Sequence, residues 1–411
     1  MSEKKVEEAL WADKGSEVTL KSFKIQDFTN KGDNYISFVT TVIVKYTDAG
    51  CEKDVSYVVK CNPCSESSGI QNFVAASFEK EVRFYTELVP LLNSSLESIG
   101  LQQLKLAKCY AFDLTFGREN LFLNDLRKEG FSMFDRKKGL DKEHMTLVLE
   151  ELGRFHAASI IAQETLGEPL EIKFDFLNTD FVEMCENSEM SFSDMLGHFI
   201  SSGVSILEKV GGYSDTINWL NAIKPTACDI FRETTTQKPP FDVVCHGDCW
   251  NNNILFRYDE IGRPVDVRLL DLQMYRKASP ATDLNYLMYT SLNGPDRKSN
   301  LDTYITLYHS SIVKVLKAAK TEVPFDQEGL RQEYHRKNIY GLLMGMMVLP
   351  LVVNEGEVPE LSKIEKGEME WFMNNLKEQN IENIDKYPLL RLRMLSMFDE
   401  MIEYGVISLN D

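Results

Sequence analysis

The chain has 411 residues, of which 43% are hydrophobic, and this is enough apolar material for one or two substantial cores. Its net charge of -18 argues against a general nucleic-acid binder, because phosphate backbones require clustered lysine and arginine. The same acidity means that any phosphate chemistry here needs a divalent cation and a local positive group.

The first residues are charged and lack the apolar core of a secretory signal. The longest apolar stretch, at 340–353, is too short to cross a bilayer and reads as a buried helix. The 8 cysteines indicate free thiols rather than a disulfide framework. We therefore expect a cytoplasmic protein with no membrane span, no nucleic-acid partner and no required protein partner.

The first part of the chain predicts a compact α+β lobe that ends near Asp125. A helical extension at 1–16 is followed by apolar residues with a period of two, and a segment with helical spacing comes after the third strand. The predicted strands are 22–28, 36–46, 53–61, 105–113 and 119–124, and the helical segment is 73–92.

From Asp141 onward helical patterns dominate, with long examples at 190–235 and 300–405. They are interrupted by a short β-rich island at 243–275. The pattern predicts two units: an N-lobe at 1–125, with five antiparallel strands and one helix, and a helical C-lobe at 126–411.

The segment VVCHGDCWNNNILF (243–256) places Asp248 five residues before Asn253, and Asp271 follows in RLLDLQ. Phosphoryl transfer needs one carboxylate to orient or deprotonate the attacking hydroxyl. It also needs an amide and a second carboxylate to hold magnesium against the phosphates. These three side chains supply that set.

A lysine and a glutamate complete the pattern. Lys60 lies near the end of the third predicted strand, where its ammonium can reach the phosphates of a nucleotide. It needs an anionic partner, and Glu81 on the following helix is the natural candidate, with Glu79 as the alternative. The protein-kinase-like order consists of a lysine, a glutamate, the motif His-x-Asp-x4-Asn and a later aspartate, and this chain follows it.

The motifs narrow the resemblance to one family. The order HGDCWNNNILF and LLDLQ is similar to the aminoglycoside and choline phosphotransferase branch of the protein-kinase-like fold. Together with KGDNY (31–35), VVKCNP (58–63) and SPATDLNYLMYTS (279–291), the chain resembles the ecdysteroid kinase-like family of insects, also called CHK kinase-like. The resemblance runs from about residue 20 to 400.

The resemblance implies a bilobal kinase-like α+β fold with ATP and Mg²⁺ between the lobes. It implies that Asp248 is the catalytic residue and that Asn253 and Asp271 hold the metal, while Lys60, set by Glu81, holds phosphate. The residues expected near the nucleotide are Gly32, which stands where a glycine-rich loop would be, and Asn124 and Asp125 of the hinge segment LFLNDL.

The implied acceptor is a small-molecule alcohol, such as an ecdysteroid or a related lipophilic compound. Choline, ethanolamine or an aminoglycoside is the alternative, and these cations would want carboxylates and aromatic cages. A non-catalytic pseudokinase that only binds is the other alternative. We expect the acceptor pocket within 180–235 and 285–375, and Met344–Met347 either in the core or on that pocket.

Three further residues are expected to support the catalytic loop. The resemblance implies that Asp283 bonds the loop backbone, and the alternative is that it caps the next helix. His246 is expected to pack beneath the loop, and His156 is expected to be a core or interlobe histidine.

Overall fold

The computed structural model describes residues 2–28, 38–63, 68–186, 188–353 and 364–408. Its N-terminal region carries a five-stranded antiparallel sheet in the order β1-β2-β3-β5-β4. The strands are β1 (Thr19–Asp27), β2 (Phe38–Asp48), β3 (Cys51–Cys61), β4 (Cys109–Asp113) and β5 (Asn120–Asn124). A two-residue turn joins β2 to β3, and both of its residues, Ala49 and Gly50, have positive φ as a type I′ turn requires.

The first helix, α1 (Glu3–Lys14), covers one face of this sheet. Its buried side chains Val6, Ala9 and Leu10 form an apolar cluster with residues of the strands, among them Val42 and Tyr57. The N-terminal extension is therefore part of the folded unit, since it removes an apolar sheet face from water.

After β3 the chain forms one long helical run. It consists of α2 (Gln71–Arg83), a π-helical turn at Phe84–Leu88, and α3 (Val89–Glu97). Pro90 has no amide hydrogen, so it cannot donate a hydrogen bond to the carbonyl oxygen one turn earlier. This interrupts the regular α-helical hydrogen bonding near the π-helical turn. The run extends five residues beyond the predicted segment 73–92.

The rest of the chain is mainly helical. Its helices are α4 (Lys142–Leu166), α5 (Leu170–Lys173), α6 (Phe181–Glu186), α7 (Phe192–Val210), α8 (Ser214–Ile223), α9 (Ala227–Thr235), α10 (Pro280–Ser291), α11 (Gly294–Ala319), α12 (Gln327–Arg336), α13 (Asn338–Val353), α14 (Met369–Lys386) and α15 (Pro388–Glu403). Its short strands are β6 (Phe131–Met133), β7 (Val243–Cys245), β8 (Ile254–Tyr258), β9 (Pro264–Leu269) and β10 (Arg276–Ala278).

These short strands frame the predicted catalytic segment. Strands β6, β8 and β9 form one small sheet, and β7 pairs with β10 in another. The segment that joins β7 to β8 contains Asp248 and Asn253, and the segment that joins β9 to β10 contains Asp271. The pairing of the strands therefore brings the two segments side by side.

The α+β fold class is confirmed, while the division at residue 125 stays a prediction. One large apolar core extends from the helical run after β3 through α15, so it continues past that residue. No helix within the described ranges has the length and apolar character needed to cross a membrane.

Candidate active site

The predicted catalytic loop contains a glycine that no other residue replaces without strain. Gly247 has a φ of +82°, and a Cβ added there would lie 2.0 Å from the carbonyl oxygen of Met274. The left-handed backbone and the close approach both require glycine. The loop is thus pressed directly against the segment that follows Asp271.

Asp283, in the first turn of α10, holds this loop from below. Its Oδ2 accepts a hydrogen bond from the amide of His246 at 2.6 Å, and its Oδ1 accepts one from the amide of Gly247 at 2.9 Å. His156 lies 3.0 Å from Oδ2 through Nε2 and 2.6 Å from the Tyr308 hydroxyl through Nδ1. Burial acts to raise the pKa of Asp283, but the bonds to His156 and the loop amides outweigh it and lower the pKa.

The alternative that Asp283 caps α10 is wrong, because Ser279 is the N-cap and accepts from the amide of Ala281. His246 is buried beneath the loop, with Nδ1 3.3 Å from the amide of Asp248. His156 is a fully buried core residue.

The carboxylate of Asp248 is held by two side chains. The amide nitrogen of Asn253 donates to Oδ2 of Asp248 at 2.8 Å and to its carbonyl oxygen at 2.9 Å. The hydroxyl of Tyr286 donates to Oδ1 at 2.6 Å. Burial, followed by the negative charge of Asp271, raises the pKa of Asp248 to about 7.

Lys60 connects the sheet both to the helical run after β3 and to the segment that contains Asp271. Its ammonium lies 2.5 Å from Oε2 of Glu81 and also contacts Oδ1 of Asp271. Burial acts to lower the pKa of Lys60, but the negative charges of Asp271 and Glu81 have the larger effect. The pKa is therefore raised above its usual value, and the side chain carries its proton. Glu81 is fully buried, whereas Glu79 is exposed, so the pairing partner is Glu81.

The backbone of Asp271 is left-handed, with a φ of 63°. Such a conformation is uncommon outside glycine and is best tolerated by aspartate and asparagine. It is found here at the residue predicted to hold magnesium, as is common for strained backbone at functional sites. The side chain is partly exposed, so one carboxylate oxygen can accept a ligand.

The hinge side chains are occupied by neighbouring protein groups. Oδ2 of Asp125 accepts from the Ser56 hydroxyl at 2.7 Å, and its Oδ1 accepts from Nε of Arg127 at 2.7 Å. Asn124 bonds the amide of Lys108 and the carboxylate of Glu129. Contact of Asn124 and Asp125 with a nucleotide stays a prediction. Gly32 lies outside the described residues.

A deep cavity of about 240 Å³ opens onto Asp248. It lies where the acceptor pocket was predicted, with walls from α6, α7, α9, α10, α13 and α14. Its lining is chiefly aromatic and sulfur-containing: Phe73, Phe181, Phe199, Phe231, Phe372, Met190, Met195, Met344, Met347, Met369 and Met373. Two of the methionines from 344–347 therefore lie on the cavity.

Sequence reasoning missed several polar residues of this cavity, among them Tyr286, Arg276 and Asn252. The clue to Tyr286 was its spacing, since it follows Asp283 by three residues on the same helix and so lies on the same face. Arg276 and Asn252 carried no sequence signal beyond their closeness to Asp271 and Asn253.

The model of the ecdysteroid kinase-like family matches residues 31–321, which is more than half of the chain. The protein belongs to the ecdysteroid kinase-like family. Membership of this family supports the activity of a small-molecule phosphotransferase, and it agrees with the order of the motifs around Asp248.

Solved structures of two kinases are similar to this family member at low identity. An ethanolamine kinase of Plasmodium vivax has 12% identity and a TM-score of 0.39, covering 90% of this chain and 84% of its own. A spectinomycin phosphotransferase solved with ADP and spectinomycin has 10% identity and a TM-score of 0.40, covering 92% of this chain and 93% of its own. No curated protein matches the sequence.

Proposed function

We propose that this protein is an ATP- and Mg²⁺-dependent kinase that phosphorylates a hydroxyl group of a small lipophilic alcohol, such as an ecdysteroid or a related compound. The observation that carries the proposal is the apolar cavity that opens directly onto Asp248. An apolar wall with a few polar groups beside a carboxylate suits a lipophilic molecule that presents one hydroxyl.

The residues present fit a magnesium ion. Magnesium prefers oxygen ligands, and bonds from Nδ2 of Asn253 to Asp248 leave Oδ1 of Asn253 as its ligand atom. Asp271 offers a carboxylate oxygen, and the left-handed backbone of this residue sets the direction of its side chain. When bound, the metal would neutralise charge on the phosphates. Lys60 would add a second positive group on the sheet side of the site.

The reaction requires little covalent chemistry from the protein. The acceptor oxygen attacks the γ-phosphorus, the bond from that phosphorus to the bridging oxygen breaks, and ADP leaves. The hydroxyl proton passes to Asp248, whose pKa of about 7 suits a proton acceptor near neutral pH. Tyr286 and Asn253 keep its carboxylate in one orientation.

The cavity lining does not favour the cationic alternatives. Among the described lining residues the carboxylates are Asp248 and Asp271, and both have roles in the proposed chemistry. An ammonium substrate would need further acidic groups to offset its desolvation. A pseudokinase role is opposed by Lys60, Asp248, Asn253 and Asp271, which are all present and assembled.

The test is to incubate the protein with ATP, Mg²⁺ and a panel of hydroxylated steroids, other lipophilic alcohols, choline, ethanolamine and an aminoglycoside. Mass spectrometry then reports which compounds gain phosphate. We expect gain on lipophilic alcohols and none with Asp248→Asn. Phosphorylation of the cations alone, or of no compound while ATP binds, would contradict the proposal. A cytoplasmic location belongs to the same proposal, and imaging of a tagged full chain tests it.

A further inference from the structure

Resting on the function proposed above, we propose that Arg276 and Tyr340 form a pair of hydrogen-bond donors that binds a second functional group of the acceptor. That group is an oxygen without a proton, either a carbonyl or a carboxylate. The pair lies in the wall of the cavity and supplies a polar anchor for a group other than the reacting hydroxyl.

Arg276 is a buried cation with most of its hydrogen-bonding capacity unused. Its Nη2 donates to the Tyr340 hydroxyl at 2.8 Å, and its Nη1 reaches the carbonyl of Met274 only at 3.5 Å. Its Nε has no hydrogen-bond partner within the part of the chain that the structure describes. Because a guanidinium carries five N–H donors and keeps its charge, a ligand oxygen that accepted one of the remaining donors would offset a desolvation cost.

The carboxylate with an electrostatic influence on Arg276 is Asp283, and it is already engaged. Its two oxygens accept the amides of His246 and Gly247 and contact His156. Among the described residues, none forms a salt bridge with Arg276. The positive charge therefore faces an apolar cavity without a dedicated counter-ion.

The hydroxyl group of Tyr340 is a second hydrogen-bond donor beside Arg276. Its oxygen accepts the bond from Arg276, so its own hydrogen must be directed elsewhere. Burial raises the pKa of Tyr340 to about 12, so the phenol keeps that hydrogen at neutral pH. An arginine and a phenol that both donate are complementary to an oxygen acceptor, and the positive charge of the arginine repels an ammonium group.

The position of the pair explains how it can act on the chemistry. A Cβ added to Gly247 would lie 2.9 Å from Nη1 of Arg276, so the guanidinium lies beside the residue that precedes Asp248. A ligand held at one oxygen by Arg276 is therefore fixed close to the catalytic carboxylate. This would determine which of its hydroxyl groups reaches Asp248.

Binding without nucleotide tests the inference independently of turnover. The probes are four straight-chain ligands of equal length that share one terminal hydroxyl: decanol, ω-hydroxydecanoic acid, the corresponding hydroxy methyl ketone and ω-aminodecanol. Affinities are measured by calorimetry on the full chain. We expect the acid or the ketone to bind about tenfold more tightly than decanol, and the amine no more tightly than decanol. Comparison of acid and ketone identifies the oxygen that is preferred.

The variants assign the preference to the pair. Arg276→Met should abolish the preference, so that the preferred oxygen ligand and decanol bind with about equal affinity. Tyr340→Phe removes a single oxygen and should lose part of the preference, and it carries the test if Arg276→Met does not fold. Tyr304→Phe is the matched control, because this buried tyrosine on α11 does not line the cavity.

Equal binding of all four ligands, tighter binding of the amine, or a preference that survives both Arg276→Met and Tyr340→Phe would overturn the inference. The two proposals fail separately. A preference without phosphorylation of any alcohol would contradict the proposed kinase function and leave the donor pair standing. Phosphorylation of alcohols without a preference among the four ligands would contradict the donor pair and leave the proposed kinase function standing.

Discussion

The hydroxyl of Tyr286 donates a hydrogen bond of 2.6 Å to Oδ1 of Asp248. The two residues come from different elements: Asp248 from the loop after β7, and Tyr286 from the helix α10, whose first turn also carries Asp283. The bond from Tyr286 lowers the pKa of Asp248, against burial and the charge of Asp271, which raise it.

Tyr286→Phe is expected to shift the pH dependence of turnover to higher pH. Asp248 must be ionised to accept a proton, so activity should rise with pH through its pKa of about 7. The bond from Tyr286 lowers that pKa, so its loss should raise the pKa further. The measurement is kcat/KM across pH 5–9 for wild type and variant. Tyr289→Phe, on the same helix, is the control and should keep the wild-type profile.

Asp271→Asn should remove magnesium-dependent turnover and keep the fold. Asparagine tolerates the left-handed backbone at this position, so the loop can keep its course. It loses the negative charge that the proposed metal site needs. Turnover at several Mg²⁺ concentrations is compared with the melting temperature. Turnover close to that of wild type would show that Asp271 does not hold the metal.

Asp248→Asn should reduce turnover by about 10²–10⁴-fold with little change in ATP affinity, because it removes the proton acceptor and not a nucleotide contact. Lys60→Ala should reduce both turnover and ATP affinity, since Lys60 is positioned to contact phosphate. Calorimetry with ATP and steady-state kinetics with a confirmed alcohol separate the two effects. Equal losses of binding and turnover in Asp248→Asn would place Asp248 in the nucleotide site instead.

Asp283→Asn should destabilise the protein by about 3 kcal/mol at neutral pH, because one buried loop amide loses its acceptor and faces an NH₂ group. The folded-state pKa of Asp283 lies below its usual value, so its ionisation stabilises the fold above about pH 4 and this contribution is lost as pH falls further. The difference between wild type and variant in thermal unfolding should therefore shrink in acid.

The control for Asp283→Asn is Asp54→Asn at an exposed aspartate of β3, which should leave the melting temperature unchanged at both pH values. A difference between wild type and Asp283→Asn that stays constant from neutral pH to pH 3 would contradict an ionised role for Asp283.

Much of this site was predictable because its parts are local in sequence. The Asp248–Asn253 contact spans five residues, and the pairing of β7 with β10 follows from one compact β-rich island. The pairing of Lys60 with Glu81 followed from one strand and the next helix. The fold class could be predicted for the same reason, since changes of period mark strands and helices directly.

The remainder depended on which face of an element meets which neighbour. The apolar pattern of α13 predicts a buried helix, but it is apolar on all sides, so the pattern does not tell which residues face the cavity. The side chain of Asp125 bonds Ser56, a residue from a strand far away in sequence, and this contact could not be predicted. Long-range contacts of this kind have no local signature.

The methionines of the cavity wall have a consequence for selectivity. Unbranched thioether chains change rotamer easily and adapt to differently shaped ligands, whereas Asp248 and Tyr286 are held by short hydrogen bonds. We therefore expect the protein to be permissive about carbon skeletons and strict about regiochemistry. Mapping the phosphorylated position on several polyhydroxylated products by NMR would show one preferred site on each, and scattered positions would contradict it.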